Sequence, residues 1–253
     1  MWITKIIDQK SFMTENELIA ILRLQNAPYI GDITAKKLIS HCGTPRAIFE
    51  DKLQSLRKID GVGSFKLKGL FDTEHLEAAE TEYEFIKKNE IKHSYFMDDD
   101  FPTYLKHCID GPILMFKRGN IDLTDRKIIS IVGTRQITSY GMAFCEELIE
   151  AIAPLNPIVV SGFAYGVDIC AQRAAVKHDL QTIGCLAHGL NQIYPKVHER
   201  YIRDVEKNGG FFTEFWSTSN PDRENFLKRN RIIAGMSEAT IVIESAEKGG
   251  SLV

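Results

Sequence analysis

From residue 126 onward the chain alternates between short apolar runs and longer stretches with helical periodicity. The runs lie at 128–132, 158–160, 182–186, 211–213 and 240–243. They are continuous rather than broken by polar residues at every second position, as expected of strands buried on both faces. Between them, 139–153, 164–178, 198–207 and 225–234 read as helices. The first of these gathers Phe144, Cys145, Leu148, Ile149 and Ile152 on one stripe. Such alternation predicts right-handed crossovers and an α/β fold built on a doubly wound, Rossmann-like parallel sheet.

The chain before this region follows another pattern. Residues 14–70 read as short helices joined by glycine turns, with Leu18, Ile19, Ile21 and Leu22 opening one apolar face and Leu38 and Ile39 another. Two turns stand out, at 30–35 and at Ile59-Asp60-Gly61-Val62-Gly63. Glycine-hydrophobic-glycine between helices suits a helix-hairpin-helix turn whose backbone N–H groups face a phosphate. A tight packing turn is the alternative, because the first copy lacks its second glycine and Asp32 and Asp60 would repel a phosphate. Residues 71–90 read as a solvated, glutamate-rich exit helix, which divides the chain into a helical domain at 1–90 and an α/β domain at 91–253. Strands are expected at 91–96 and 112–117, flanking a turn with Asp98, Asp99 and Asp100. Consecutive acids rarely converge on one ion, so this turn reads as a solvated loop rather than a metal site.

Composition narrows the function classes. The 253 residues are 44% hydrophobic and 26% charged, enough for a sizeable core. No basic start with an apolar run marks a signal peptide, and no apolar stretch approaches the roughly 18 residues of a membrane span. The five cysteines are odd in number and none sits in a CxxC pair. That favours reduced cytoplasmic thiols over disulfides or zinc. With a net charge of −3 and a pI near 6.2, any nucleic-acid surface must be a local basic patch.

Ligands of open parallel sheets collect outside the carboxyl ends of the strands. There the sequence places Gly133-Thr134-Arg135 after the first core strand. Ser161-Gly162-Phe163-Ala164-Tyr165-Gly166-Val167-Asp168 follows the second and opens into a helix. Ala187-His188-Gly189-Leu190 and Tyr194-Pro195-Lys196 follow the third, and Lys248-Gly249-Gly250-Ser251 lies beyond the fifth. Glycines admit close approach, a helix N-terminus favours an anion, and Arg135, Lys196 and Lys248 add charge: together a phosphate-binding rim. Each element has a structural alternative. Gly162 and Gly166 can serve helix–strand packing, Arg135 can pair with Glu214 or Glu244, and Arg229, Asn230 and Arg231 divide between core and phosphate roles. His188 reads as a turn residue, since no G-x-S-x-G nucleophile pattern accompanies it, and His178 as a helix C-cap.

Taken together, IVGTR at 131–135, VVSGFAYGVD at 159–168, IYP at 193–195, FLKRNRIIAGMSEATIVIES at 226–245 and KGGSL at 248–252 resemble the DNA processing protein A family (DprA, also called Smf). The likeness runs from about residue 92 to the end, and the helical start is more loosely similar to that family's SAM-like or helix-hairpin-helix domain. The resemblance implies a non-catalytic protein, without cofactor or metal, that binds and protects single-stranded DNA and helps load the RecA recombinase in natural transformation. It implies DNA contacts at Arg135, Ser161, Gly162, Gly166 and Lys196, and the rim read from the residues adds Gly133, Ala164, Tyr165, Arg229, Asn230, Lys248, Gly249, Gly250 and Ser251 to the expected DNA-binding set. It also implies self-association through the Rossmann-like domain. Many members carry arginine where this chain has Tyr165, whose ring could stack on a base. The strand ending near Val253 is expected to feed a further helix, and the family often continues into a winged-helix module.

Two other readings share this sheet type. A phosphoribohydrolase or small-nucleotide sensor would carry PGGxGTxxE, whose glutamate does not follow Gly249-Gly250 here. A dinucleotide oxidoreductase would carry G-x-G-x-x-G after the first strand, and that is missing too.

Overall fold

The computed structural model describes residues 13–247 and 249–250. These form two units divided between Glu84 and Phe85, inside the helix α5 (Thr73–Lys88). The predicted contacts at Lys248 and Ser251 lie outside the described residues. Among the described residues no helix is long and apolar enough to cross a membrane.

The first unit packs α1 (Glu15–Asn26), α2 (Asp32–Cys42), α3 (Pro45–Glu50) and α4 (Leu53–Leu56) ahead of α5. Local chemistry sets the ends. Thr14 caps α1 by accepting the Glu17 amide at 3.3 Å, and Thr44 caps α3 through Ala47 at 3.2 Å with Pro45 at its first turn. Leu22, Leu24, Leu38, Ile48, Leu56 and Leu70 are fully enclosed and form its core. In the turn at 59–63, Gly61 adopts φ +73 and the Val62 amide closes on the Ile59 carbonyl at 3.0 Å. Two lysines grip this turn: Lys37 Nζ donates to the Asp60 carbonyl at 3.1 Å and Lys66 Nζ to the Gly61 carbonyl at 2.9 Å.

The second unit is a seven-stranded sheet. In chain order it runs β1 (Lys92–Tyr95), α6 (Thr103–His107), β2 (Leu114–Gly119), β3 (Ile128–Gly133), α7 (Ser139–Ile152), β4 (Ile158–Ser161), α8 (Val167–Lys177), β5 (Thr182–Cys185), α9 (Ile202–Lys207), β6 (Gly209–Thr213), α10 (Arg223–Met236) and β7 (Ala239–Ile243). Across the sheet the order is β1-β2-β6-β5-β4-β3-β7. The pairings from β6 to β7 are parallel, while β1 with β2 and β2 with β6 are antiparallel. The predicted Rossmann-like sheet is therefore present, with an antiparallel extension on one side.

Period-two geometry explains the continuous apolar runs. Ile128, Ile158, Val160, Ile183 and Phe212 face one core with Ile232, Ile233 and Met236 of α10. Ile131 and Val159 face the other, with Cys145 and Ile149 of α7 and Val167, Ala171 and Ala175 of α8. Ser130 is a polar residue fully enclosed within β3; its hydroxyl donates to the Ile233 carbonyl at 2.7 Å and so ties α10 to the sheet. The chain leaves β3 toward β4 on one side and returns after α10 to β7 on the other, which makes the end of β3 the switch point of the winding.

Several boundaries differ from the sequence expectation. β6 begins two residues early because Gly209 and Gly210, poor in strand propensity, still pair with β5 and β2. The predicted helix at 198–207 is a 3₁₀ segment, Lys196–Tyr201, followed by the α-helical turns of α9. The aspartate turn is not simply solvated: Asp98 accepts the Tyr95 amide at 2.8 Å, and Asp100 takes the Ser94 hydroxyl and Lys117.

Candidate functional site

At the switch point the carboxyl ends of β3, β4 and β7 and one side of α10 enclose a cavity of about 660 Å³. β3 supplies Gly133, Thr134 and Arg135; the loop after β4 supplies Ala164, Tyr165 and Asp168; the segment after β7 supplies Ala246, Gly249 and Gly250. α10 contributes Arg223, Phe226, Leu227 and Asn230, one stripe at helical spacing, together with Arg229. Of the predicted contacts, Gly133, Arg135, Ala164, Tyr165, Arg229, Asn230, Gly249 and Gly250 are thus brought together.

Arg135 is exposed, and its guanidinium lies over the Phe226 ring, 4.9 Å from the centroid, rather than on Glu214 or Glu244. Phe226 meets Tyr194 edge-on at 5.6 Å. Tyr165, 44% exposed, is backed by the His198 ring at 5.2 Å. His198 is itself fixed by a 2.9 Å hydrogen bond between Nδ1 and the Phe163 carbonyl, and burial holds its pKa below the ordinary value. Glu214 engages Arg231 and Lys228, which gives Arg231 a structural role.

Of the two helix N-termini beside the cavity, that of α7 is held by a carboxylate of the chain and that of α8 by a backbone carbonyl. Glu244 accepts the Thr138 amide at 2.8 Å and also takes its hydroxyl, capping α7; these bonds hold its carboxyl below the usual range. At α8 the first amide, of Val167, is bonded to the Thr134 carbonyl at 3.1 Å. Asp168 lies against the amides of Ala164 and Gly162. Burial pushes its carboxyl upward, while Arg229 and those amides pull it back. Arg229 is 3% exposed and donates to the carbonyls of Gly162, at 2.8 Å, and of Cys185; its Nε has no hydrogen-bond partner among the described residues.

The other described residues of the predicted phosphate rim lie beneath or beside the cavity. In the glycine loop after β4 the amides of Gly162 and Ala164 face Asp168. Ser161 is fully buried and its hydroxyl donates to the Ile131 carbonyl at 2.6 Å. A Cβ on Gly162 would stand 2.4 Å from Asp168 Oδ2 and 2.5 Å from Arg229 Nη2; one on Gly166, at φ +77, would stand 2.1 Å from the Thr134 carbonyl oxygen. Both glycines are packing residues under the cavity. Lys196 pairs with Glu199 at 3.0 Å and lines a neighbouring hollow with Arg200 and Arg203. Sequence reasoning did not select Arg223, Phe226 or Leu227. The i, i+3, i+4, i+7 spacing through Asn230 was the available signal, masked because the run from Asp222 to Arg231, with four cations and two acids, reads as an ordinary charged face.

A family model for DNA recombination-mediator protein A matches residues 92–253. The chain is 35% identical over 154 residues to DNA processing protein DprA of Bacillus subtilis, covering 60% of this chain and 52% of that protein. It is 32% identical over 157 residues to DNA processing protein DprA of Streptococcus pneumoniae, covering 62% and 55%. The chain therefore spans about half the length of the curated relatives it matches. The X-ray structure of the Streptococcus pneumoniae DprA superposes with a TM-score of 0.78 at 24% identity over 95% of this chain and 82% of that one, a likeness of fold. A Helicobacter pylori DNA processing protein A, solved for its single-stranded DNA binding mode, superposes with a TM-score of 0.57 at 29% identity, covering 64% and 73%.

Proposed function

The chain belongs to the DNA recombination-mediator protein A family, and on that premise we propose that it binds single-stranded DNA in the cavity at the end of β3 and performs no chemistry on it. The observation that carries this reading is the Arg135 guanidinium laid over Phe226, with Tyr194 and Tyr165 on the same cavity. Cations beside exposed rings suit a flexible strand whose phosphates and unstacked bases alternate. Arg135 and Arg223 take phosphates, the rings take base faces, and Asn230 with the glycine segment at 249–250 closes the far wall. Asp168 neutralises Arg229 from below, so the exposed guanidiniums meet the ligand.

The same reading extends to partners. Bound strands are protected and handed to the RecA recombinase in natural transformation, by a protein that self-associates through the α/β unit and works in the cytoplasm. The relatives named above support this as kin, and the five free cysteines suit a reducing compartment. The test is an anisotropy titration of labelled oligo-dT against duplex of equal length at two salt concentrations. Preferential, salt-sensitive single-strand binding is expected, lost in Arg135→Ala/Phe226→Ala. A folded double variant that binds as the parent does removes the site.

A further inference from the structure

The first unit carries a surface that the cavity does not explain. Tyr29 and Phe65 are 57% and 65% exposed, and their rings lie against each other with centroids 4.5 Å apart at 43°. Tyr29 holds φ +64, a costly backbone conformation for a bulky residue. Large rings usually gain by burial. Here two are displayed together, one of them, Tyr29, on a strained backbone.

Phe65 also walls a hollow of about 480 Å³, whose rim bears Arg57 and Lys68 against one acid, Asp72. Next to Phe65 in sequence, Lys66 joins Lys37 on the turn at Gly61. Charge is segregated along the unit: residues 52–68 hold Lys52, Arg57, Lys58, Lys66 and Lys68 against Asp60, whereas 72–84 hold six acids and no lysine or arginine. The overall negative charge of the chain therefore conceals a basic stretch, and two of its cations, Arg57 and Lys68, share the hollow with Phe65.

We propose that this face is a second contact for single-stranded nucleic acid, in which Tyr29 and Phe65 stack an unpaired base and Arg57 and Lys68 hold the flanking phosphates. Ring faces accept any base, and cations beside them follow the backbone, the combination that sequence-tolerant single-strand binders use. A duplex keeps its bases stacked and would meet only the cations. An acidic peptide would likewise satisfy the cations and leave both rings in water.

The contact is independent of the cavity at β3, and the experiment keeps the two apart. The parent chain and its Arg135→Ala/Phe226→Ala variant are irradiated with an oligo-dT carrying 5-iodouracil, and crosslinked peptides are mapped. Crosslinks at Tyr29 or Phe65 are expected in both proteins. In the variant background, Phe65→Ala should weaken the remaining oligo-dT affinity by about five-fold or more, while Phe65→Trp retains it. Arg57→Gln/Lys68→Gln should weaken it and flatten its salt dependence, at an unchanged melting temperature. Crosslinks confined to the second unit, or Phe65→Ala binding unchanged, overturn the proposal. So does displacement of the oligonucleotide by duplex or by poly-glutamate as effectively as by unlabelled oligo-dT. Crosslinks at Tyr29 and Phe65 without any at the cavity would sink the cavity reading and leave this one standing.

Discussion

Asp168 and Arg229 face one another across Gly162, whose missing side chain leaves room for both: a Cβ there would stand 2.4 Å from Asp168 Oδ2 and 2.6 Å from Arg229 Nη1. They are only 7% and 3% exposed. Burial works against each charge, and their mutual attraction offsets it. Removing one partner strands the other, so Asp168→Asn is expected to cost about 3–5 kcal/mol in urea unfolding. Arg229→Met in the same chain should cost less than the two single losses added together. Strict additivity would show that the charges do not act as a pair.

Arg135 and Lys196 should separate in binding assays. Arg135 lies exposed over Phe226 at the cavity, whereas Lys196 is tied to Glu199 elsewhere. Arg135→Ala is expected to weaken oligo-dT binding several-fold and to reduce the logarithmic salt slope by about 0.7 per lost phosphate contact. Lys196→Ala should stay within about two-fold of the parent. Equal effects from the two would restore the wider rim.

Gly166 is expected to tolerate no side chain. Its φ of +77 and the 2.1 Å approach to the Thr134 carbonyl oxygen leave a methyl group nowhere to go. Gly166→Ala should lose roughly 1–3 kcal/mol or more in thermal unfolding, and should weaken DNA binding by shifting the loop that bears Arg135. Gly63→Ala, with nothing within 4 Å of the new atom, is the matched control.

Acid should loosen the cap of α7. The hydroxyl and amide of Thr138 and the amide of Gly141 hold Glu244 below its ordinary pKa of 4.5. Below that value the unfolded chain takes up the proton first, so the cap's contribution is present above it and is lost as pH falls through the lowered folded value. Melting curves between neutral pH and pH ~3 should show a shallower acid limb for Glu244→Gln than for the parent.

A second pH limb belongs to the histidines. His198 and His188 are kept neutral mainly by burial, below the ordinary value of 6.5. The unfolded state binds protons first as pH falls past that value, and the stability these rings contribute declines from there down. His198→Asn should flatten this part of the curve, and the loss of the ring behind Tyr165 should weaken oligo-dT binding at neutral pH.

The parallel sheet was legible because Ile128, Ile131, Val159 and Ile183 belong to strands that are apolar on both faces, a pattern that few other elements of a chain produce. Gly209 and Gly210 carry no side chain to betray a strand, so the start of β6 was not legible. The location of the cavity followed from the switch-point rule, but the internal bonding of the loop after β4 did not. Whether its amides greet a ligand or Asp168 depends on the buried turn at Phe163, at φ +56, a conformation that no residue pattern announces. Phe226 was hidden for a different reason. It sits in a charged run, 222–231, that reads as a solvated face until the structure shows which side of α10 lines the cavity.

Because Asp168 already faces the amides of Gly162 and Ala164 in the loop after β4, those two amides are not open to free orthophosphate or to the cell's nucleoside triphosphates. What is offered instead is a few guanidiniums and ring faces, each weak alone. Such an array rewards a polymer that engages many at once and discriminates by chain length rather than by terminal phosphate, so abundant mononucleotides should be poor competitors for a long strand.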